Sequence, residues 1–429
     1  MLLQFQVTNF RSFRAEQTLS MVAGPFKDHA EAVFHPSGVE EGVLPVAAMY
    51  GANASGKTNV ILALRFMRDA VKNSHARWEP DTAIELEPFA SEPASPTTFA
   101  ADFLLNGVRY QYGISMSPAA VLEEWVFAYP SGKKQTWFAR EKDKPISFSA
   151  KMPGDNRMIE RLTRPNSLFL SAAAQNNHEA LSPIFRWFSQ SLAFVVDYRS
   201  GMDPRGPVLC RDAGSKSKLA RLLSMADLGI ADLRVEDAAI PDDDRRALAL
   251  LRSRLEDVSK TDPKVRIGPE VEQVLDPKEV LFLHQVGDSM LSFHEAQESK
   301  GTIAFLSLLA QVLRTLNSSG LLCIDELDHS LHPLLAIEVI RLFNDPKRNP
   351  NGAQLIFNTH DTNLLSADLL RRDQIWFTEK GRDGASQLYP LTDFKPRREE
   401  NLEPGYLQGR YGAIPFLNPD SFLGHEEER

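Results

Sequence analysis

The chain has little cysteine: Cys210 and Cys323 are the only two in 429 residues. That is too few for a disulfide framework or a CxxC metal pair, and it points to a reducing cytoplasm. It also lacks any run of the roughly 18 apolar residues that a membrane helix needs. The start, MLLQFQVTNFRSF, places Arg11 and Arg14 after the apolar residues, the wrong order for a secretory leader. No membrane association is expected. Positive charge is not in excess either: the formal net charge is −9, which argues against a protein that coats nucleic acid through bulk potential. DNA contact would have to be local, at Lys133 and Lys134, at Arg157, Arg161 and Arg164, along Arg211 to Arg221, or at Lys395, Arg397 and Arg398. Each of these reads first as an ordinary solvated face. Internal repeats and low-complexity tracts are absent.

What is present suits a folded chain. With 43% hydrophobic and 24% charged residues the composition is that of globular proteins, and the length allows a main domain with a lobe or insertion. Leu2 to Phe10 alternates as a strand does. Leu44 to Tyr50 is a second strand-like run that leads into GANASGKTN, and Val60 to Val71 follows with helical spacing. Thr98 to Leu105 and Val108 to Ile114 flank Asn106-Gly107, a two-residue hairpin signal. Glu123 to Tyr129 and Thr136 to Arg140 repeat the pattern around Pro130-Ser-Gly, so an antiparallel lobe is expected there. From 183 to 275 the chain reads as mostly helical, with Leu248, Leu251, Leu255 and Val258 spaced as a short a/d seam. The last third returns to α/β: Val280 to Val286 as a strand, Thr302 to Leu316 as a buried helix, then Leu321 to Ile324 and Gln354 to Asn358 as strands.

Gly51-x4-Gly56-Lys57-Thr58 is a P-loop pattern. Its glycines let backbone N–H groups close around phosphates, Lys57 reaches the β and γ oxygens, and Thr58 offers a hydroxyl to Mg²⁺. The loop residues Asn53, Ala54, Ser55 and Asn59 join that nucleotide set. The preceding strand and following helix are the context the motif requires. Leu321 to Ile324 leads into Asp325-Glu326, which would put one carboxylate beside Mg²⁺ and the next beside the attacking water. His360 follows the strand Gln354 to Asn358, and one helix, about Leu334 to Phe343, fits between it and Glu326. A right-handed crossover would therefore set His360 beside Glu326 in the sheet.

The chain resembles the ABC-type ATPases of the SMC, RecF and OLD group, and more closely the bacterial AAA-type ATP-binding proteins of phage-defence and abortive-infection operons. The resemblance covers almost the whole chain. It rests on VTNFRSF (Val7 to Phe13), GANASGKTN, the Gln175 of FLSAAAQNN, ESKGT (Glu298 to Thr302), CIDELDHSLHP (Cys323 to Pro333), FNTHD (Phe357 to Asp361) and GRYGAIPFL (Gly409 to Leu417). It implies an α/β fold: an ABC-type P-loop ATPase head with an antiparallel β lobe and a short, mostly helical insertion. On that pattern 1–75 is the first part of the head, 76–182 the β lobe ending in a Q-loop, 183–275 the insertion and 276–429 the rest of the head. The resemblance also implies that Gln175 coordinates Mg²⁺ and the attacking water. ESKGT looks like the signature motif, with Ser299 and Gly301 touching the γ-phosphate held by the other subunit. Leu327 to Pro333 looks like the D-loop and His360 like the switch histidine. Lys300 departs from the general signature, which has glycine there.

The expected protein is a Mg²⁺-dependent ATPase that forms an ATP-dependent homodimer or higher oligomer and controls a partner effector in anti-phage defence. A RecF-like repair protein and a nucleotide-gated scaffold with little turnover are the alternatives. Between Gln175 and Ser299 there is no room for a long coiled coil, and after His360 none for the Toprim nuclease domain of OLD proteins. A nuclease or toxin effector is therefore expected on a separate polypeptide.

Overall fold

In the computed structural model, residues 1–150, 152–196, 213–225, 229–238, 240–261, 271, 274–329, 331–397 and 400–415 are described. Cys210, Arg211, Ser330, Arg398 and the end of GRYGAIPFL from Phe416 lie outside them. In chain order the elements are β1 Leu2–Thr8, β2 Gln17–Ser20, β3 Val46–Tyr50, α1 Lys57–Asn73, β4 Thr97–Leu105, β5 Val108–Met116, β6 Val121–Tyr129, β7 Gln135–Glu141 and β8 Ser147–Phe148. Then come α2 Asn156–Leu162, α3 Phe169–Gln175, α4 Ser182–Ser191, β9 Leu192–Val195, α5 Ala213–Met225, β10 Ile230–Asp237 and α6 Asp242–Thr261. The remainder is β11 Lys278–Val286, β12 Ser289–Phe293, α7 Lys300–Ser318, β13 Leu321–Ile324, α8 Pro333–Asn344, β14 Gln354–Asn358, β15 Ile375–Lys380, β16 Ser386–Pro390 and α9 Leu402–Leu407. The chain forms two compact units, Met1–Val196 with Thr315–Arg429, and Asp197–Arg314.

The first unit holds two sheets. One runs β16-β15-β3-β14-β13-β9, parallel from β15 to β9 with β16 antiparallel at its edge. Its central strands β3, β13 and β14 are buried at every position, as expected of parallel strands covered on both faces. The other is antiparallel, β2-β1-β4-β5-β6-β7-β8. Its β4–β5 hairpin turns at Asn106 (φ 51°) and Gly107 (φ 74°), the two left-handed residues that a type I′ turn demands. Helix α1 lies between the sheets, touching β1 and β4 on one side and β9 and β14 on the other. It buries Val60, Ile61, Leu64, Met67 and Val71 there. Core aromatics such as Phe5, Phe99 and Phe103 complete the layer.

Within the stretch expected to be mostly helical, β9 and β10 are also strands. β9 was hidden because its apolar run follows α4 without a break, yet it pairs in parallel with β13 along its full length. β10 joins β11 and β12 in a three-stranded antiparallel sheet of the second unit, with α5 against it. The Leu248–Val258 seam lies on α6, which buries none of its residues.

One buried charge ties the lobe to the helix that carries Gln175. The Glu124 carboxylate, fully buried on β6, accepts hydrogen bonds from the backbone N–H groups of Phe169 (2.6 Å) and Leu170 (2.8 Å) at the start of α3, and from the Tyr112 hydroxyl (3.0 Å). Arg140 approaches it at 3.6 Å. Burial pushes this carboxyl above its ordinary value, against the pull of Arg140 and the N–H donors. Glu124→Ala would leave the guanidinium and two amides without their buried partner. We expect it to cost about 3–5 kcal/mol, read from the midpoint of chemical denaturation.

Candidate functional site

Three parallel strands finish side by side: β3 at Tyr50, β14 at Asn358 and β13 at Ile324, with Asn358 in register with Met49 and Phe357 with Ile324. Ligands of open α/β sheets bind beyond such carboxyl ends. After Tyr50 the chain turns at Gly51 (φ 155°), where a side chain would collide with the Thr378 carbonyl, and passes through Ala54 (φ 60°) before α1 begins at Lys57. Ser55 is fixed by a 2.5 Å hydroxyl–hydroxyl bond to Thr378. The FRSF turn holds the first helical turn from the other side: Asn59 Nδ2 donates to Ser12 Oγ at 2.7 Å, and Arg11 donates to Asn59 Oδ1 at 3.4 Å.

Lys57 is 5% exposed, and its ammonium donates to the carbonyls of Gly51 (2.7 Å) and Ala52 (3.1 Å). Burial pushes its pKa down to about 8, opposed by the negative charges of Glu326, Asp325 and Asp328. The Thr58 hydroxyl donates to Asp325 Oδ1 at 2.9 Å. Residues 267 apart in sequence thus bring together the hydroxyl and the carboxylate that could share a divalent cation.

The Asp-Glu step is held by a residue that sequence reasoning quoted but gave no role. Asn358, fully buried at the end of β14, donates from Nδ2 to Asp325 Oδ1 and accepts at Oδ1 from the Glu326 N–H, both at 2.5 Å. Glu326 is left-handed (φ 56°), an uncommon conformation for a residue with a side chain. Its carboxylate sits 4.0 Å from His360 Nε2 and 3.4 Å from His329 Nδ1. Burial first, and Lys57 second, push His360 below the usual imidazole value. Asp328, read in sequence only as part of the D-loop stretch, accepts from the Thr359 hydroxyl at 2.6 Å and from the His360 N–H at 3.3 Å. The signal for Asn358 was there, a polar residue directly after the apolar Leu355–Phe357 and two places before His360.

The P-loop, Asp325, Glu326 and His360 therefore meet. Gln175 belongs to the same unit, exposed at the end of α3, and takes no part in the hydrogen bonds joining Thr58, Asp325 and Asn358. Ser299, Lys300 and Gly301 belong to the second unit, where Ser299 Oγ caps α7 by accepting from the Thr302 N–H at 3.0 Å. Beside the P-loop opens a cavity of about 720 Å³, walled by Tyr50, Asn53, Ser55, His360, Tyr406 and Ile414. Among the described residues the buried Tyr50 hydroxyl finds no hydrogen-bond partner, no group of three or more His, Cys, Asp or Glu side chains is placed to hold a metal ion, and no helix is long and apolar enough to cross a membrane. Two of the basic residues singled out in sequence are engaged within their own unit: Arg164 donates to the carbonyls of Ser74, His75 and Trp78, and Arg157 pairs with Glu160 at 2.7 Å.

A parallel sheet with a phosphate-type glycine loop, a hydroxyl–carboxylate pair and a carboxylate beside a histidine is consistent with a P-loop ATPase domain of the AAA/ABC class. The chain belongs to the family described as "AAA domain, putative AbiEii toxin, Type IV TA system", whose model matches residues 46–366. That places it in an abortive-infection context. No curated protein matches it.

Asn358→Leu keeps the bulk of the side chain but leaves the Glu326 N–H and the Asp325 carboxylate without this partner. We expect a loss of about 1–3 kcal/mol for a buried polar group left unsatisfied, measured by denaturation without nucleotide; Asn358→Asp should be destabilised as well, because its carboxylate would face Asp325 with no N–H to donate.

Proposed function

We propose that this protein binds and hydrolyses Mg·ATP, that two copies pair through composite nucleotide sites, and that nucleotide state controls a separate effector in anti-phage defence. The observation that carries the reading is the chain of contacts Thr58–Asp325–Asn358–Glu326, laid against the P-loop lysine. The residues fit the ligands. Gly51 makes room for a phosphate-wrapping loop, Lys57 is already folded into it, and Thr58 with Asp325 offers the hard oxygen donors that Mg²⁺ prefers. When bound, Mg²⁺ would neutralise phosphate charge. Lys57 would hold the outer phosphates, and Glu326 would orient the attacking water and draw its proton. His360, neutral near pH 7, would sit as a hydrogen-bonding group facing Glu326, while Asp328 fixes its turn. Gln175 would complete the Mg²⁺ and water contacts, and Ser299 to Gly301 would reach the nucleotide of the other copy.

The test separates binding from turnover. Lys57→Ala should abolish ATP binding in calorimetry, because the phosphates lose their mobile cation. Glu326→Gln should bind Mg·ATP with wild-type affinity and hydrolyse it about a hundredfold more slowly or worse, the usual loss when a general base is removed. Wild-type turnover in Glu326→Gln would place the base elsewhere.

Lys57 also predicts a pH dependence. Its free-state pKa of about 8 means that the ammonium is present below that pH and lost above it, whereas bound phosphate would hold the proton on. ATP affinity should therefore be flat below pH 8, with no proton taken up through Lys57, and should fall by about tenfold per pH unit above it, where one proton is taken up on binding. Calorimetry in buffers of different ionisation enthalpy reads both.

A further inference from the structure

ESKGT can act on a phosphate only if its first turn is held at a fixed height and rotation. Ser299 Oγ accepts from the Thr302 N–H at 3.0 Å and lies 2.8 Å from the Thr302 hydroxyl, while the Ser299 carbonyl accepts from the Ile303 N–H at 3.1 Å. These contacts order the turn internally but tie it to nothing else. The tie comes one residue earlier. Glu298 Oε1 lies 2.6 Å from His284 Nε2 on β11, with the Glu298 side chain 9% and the His284 side chain 20% exposed. The ring is confined on its other sides: Phe293 meets it edge-on at 4.9 Å between centroids, and a side chain at Gly229 would touch Nδ1. A second pair, Glu279 with His294 at 3.2 Å, joins the same strand to the other end of the segment, but there the histidine side chain is 58% exposed. Solvent leaves such a pair little strength, so the sheltered one does most of the holding. β11 is the middle strand of its sheet, paired on both edges, and so is held in place independently of the ESKGT turn.

We infer that His284 is a positioning residue of the signature: through Glu298 it sets the Ser299–Gly301 turn for the nucleotide held by the other copy. This rests on the composite-site reading above. His284 touches no nucleotide, so its loss should lower turnover and spare ATP binding at the P-loop of the same chain. It belongs functionally with Ser299, although its neighbours in sequence give no sign of it.

Subunit mixing distinguishes this from a general loss of stability. His284→Ala alone should turn over ATP at least about tenfold more slowly, as expected for a part-buried hydrogen bond to a charged group, with ATP affinity within about twofold of wild type. Mixed with Lys57→Ala it should regain activity, because the intact P-loop of one chain then faces the intact signature of the other. Mixed with Ser299→Arg it should not, since both chains then carry a defective signature. His284→Gln, which keeps a donor near the Nε2 position, should recover part of the turnover. Where His284→Ala does not fold, Glu298→Ala carries the same mixing test and Glu298→Gln, which keeps the acceptor, the same recovery test. Unchanged turnover in His284→Ala, or equal complementation by both mixing partners, overturns the inference. If Lys57→Ala and Ser299→Arg fail to complement each other while their subunits exchange, the composite-site reading itself falls, and the inference with it.

Discussion

The arrangement depends on one side chain that spans two strands. Two adjacent carboxylates at the end of a buried strand repel each other, and the second can face the first strand's neighbours only if the backbone turns sharply. Asn358 resolves both demands: its amide N–H binds the Asp325 carboxylate while its carbonyl oxygen fixes the Glu326 N–H in a left-handed turn. It can do so because β13 and β14 are parallel neighbours in a register that brings Asn358 to the level where Asp325 begins. Everything else at the site takes its position from that register. Thr58 meets Asp325 across the sheet end, the Leu327 N–H is satisfied by the Asn358 carbonyl at 3.0 Å, and Asp325 is anchored from the far side by its N–H to Val195 of β9 at 2.8 Å.

That dependence explains what was legible in the sequence. Leu321 to Ile324 and Gln354 to Asn358 were readable because a fully buried parallel strand is, or is centred on, a bounded apolar run, and the Asn106-Gly107 hairpin was readable because few dipeptides accept two left-handed conformations. The placement of His360 beside Glu326 followed from one helix and one right-handed crossover, and it is what the structure shows. The support was harder to see. β1 joins the antiparallel sheet by pairing with β4 about ninety residues away, and β9 completes the parallel sheet from a stretch dominated by helices. Pairing partners at such separations leave no local pattern. Asn358, Asp328, Glu124 and His284 hold their neighbours through hydrogen bonds that only the fold creates.

Charge at the site is balanced rather than simply acidic. Three carboxylates, Asp325, Glu326 and Asp328, stand near a single buried ammonium, and each lifts the Lys57 pKa against the larger lowering by burial. Lys57 in turn helps to keep His360 neutral. A polyphosphate entering such a site meets a lysine held on carbonyl oxygens, which it can exchange for phosphate oxygens at small reorganisation cost. The carboxylates that would repel it are the same ones that could hold a cation between protein and phosphate. Binding of the anion and of the metal would therefore be mutually dependent, since either one alone leaves charge of one sign unanswered beside the buried Lys57.

The distribution of basic side chains bears on the kind of partner. The chain carries a net −9, so a nucleic acid would have to be attracted by local clusters of free cations. The structure spends many of its cations internally. Arg371 is buried in a bidentate pair with Asp373, Arg372 grips Asp28, Arg109 grips Asp102, and Arg164 closes on three backbone carbonyls. Lys134 lies over the Phe127 ring at 3.5 Å. A guanidinium already paired must break that pair to bind a phosphate, and little is gained when the carboxylate left behind is itself buried. The second unit presents a different surface: α6 has no buried residue, and Leu250, Leu251 and Val258 on it are among the more exposed large apolar side chains of the described residues. The internally paired arginines of one unit and the exposed apolar groups on α6 of the other are local features that suit contact with a protein better than contact with a polyanion.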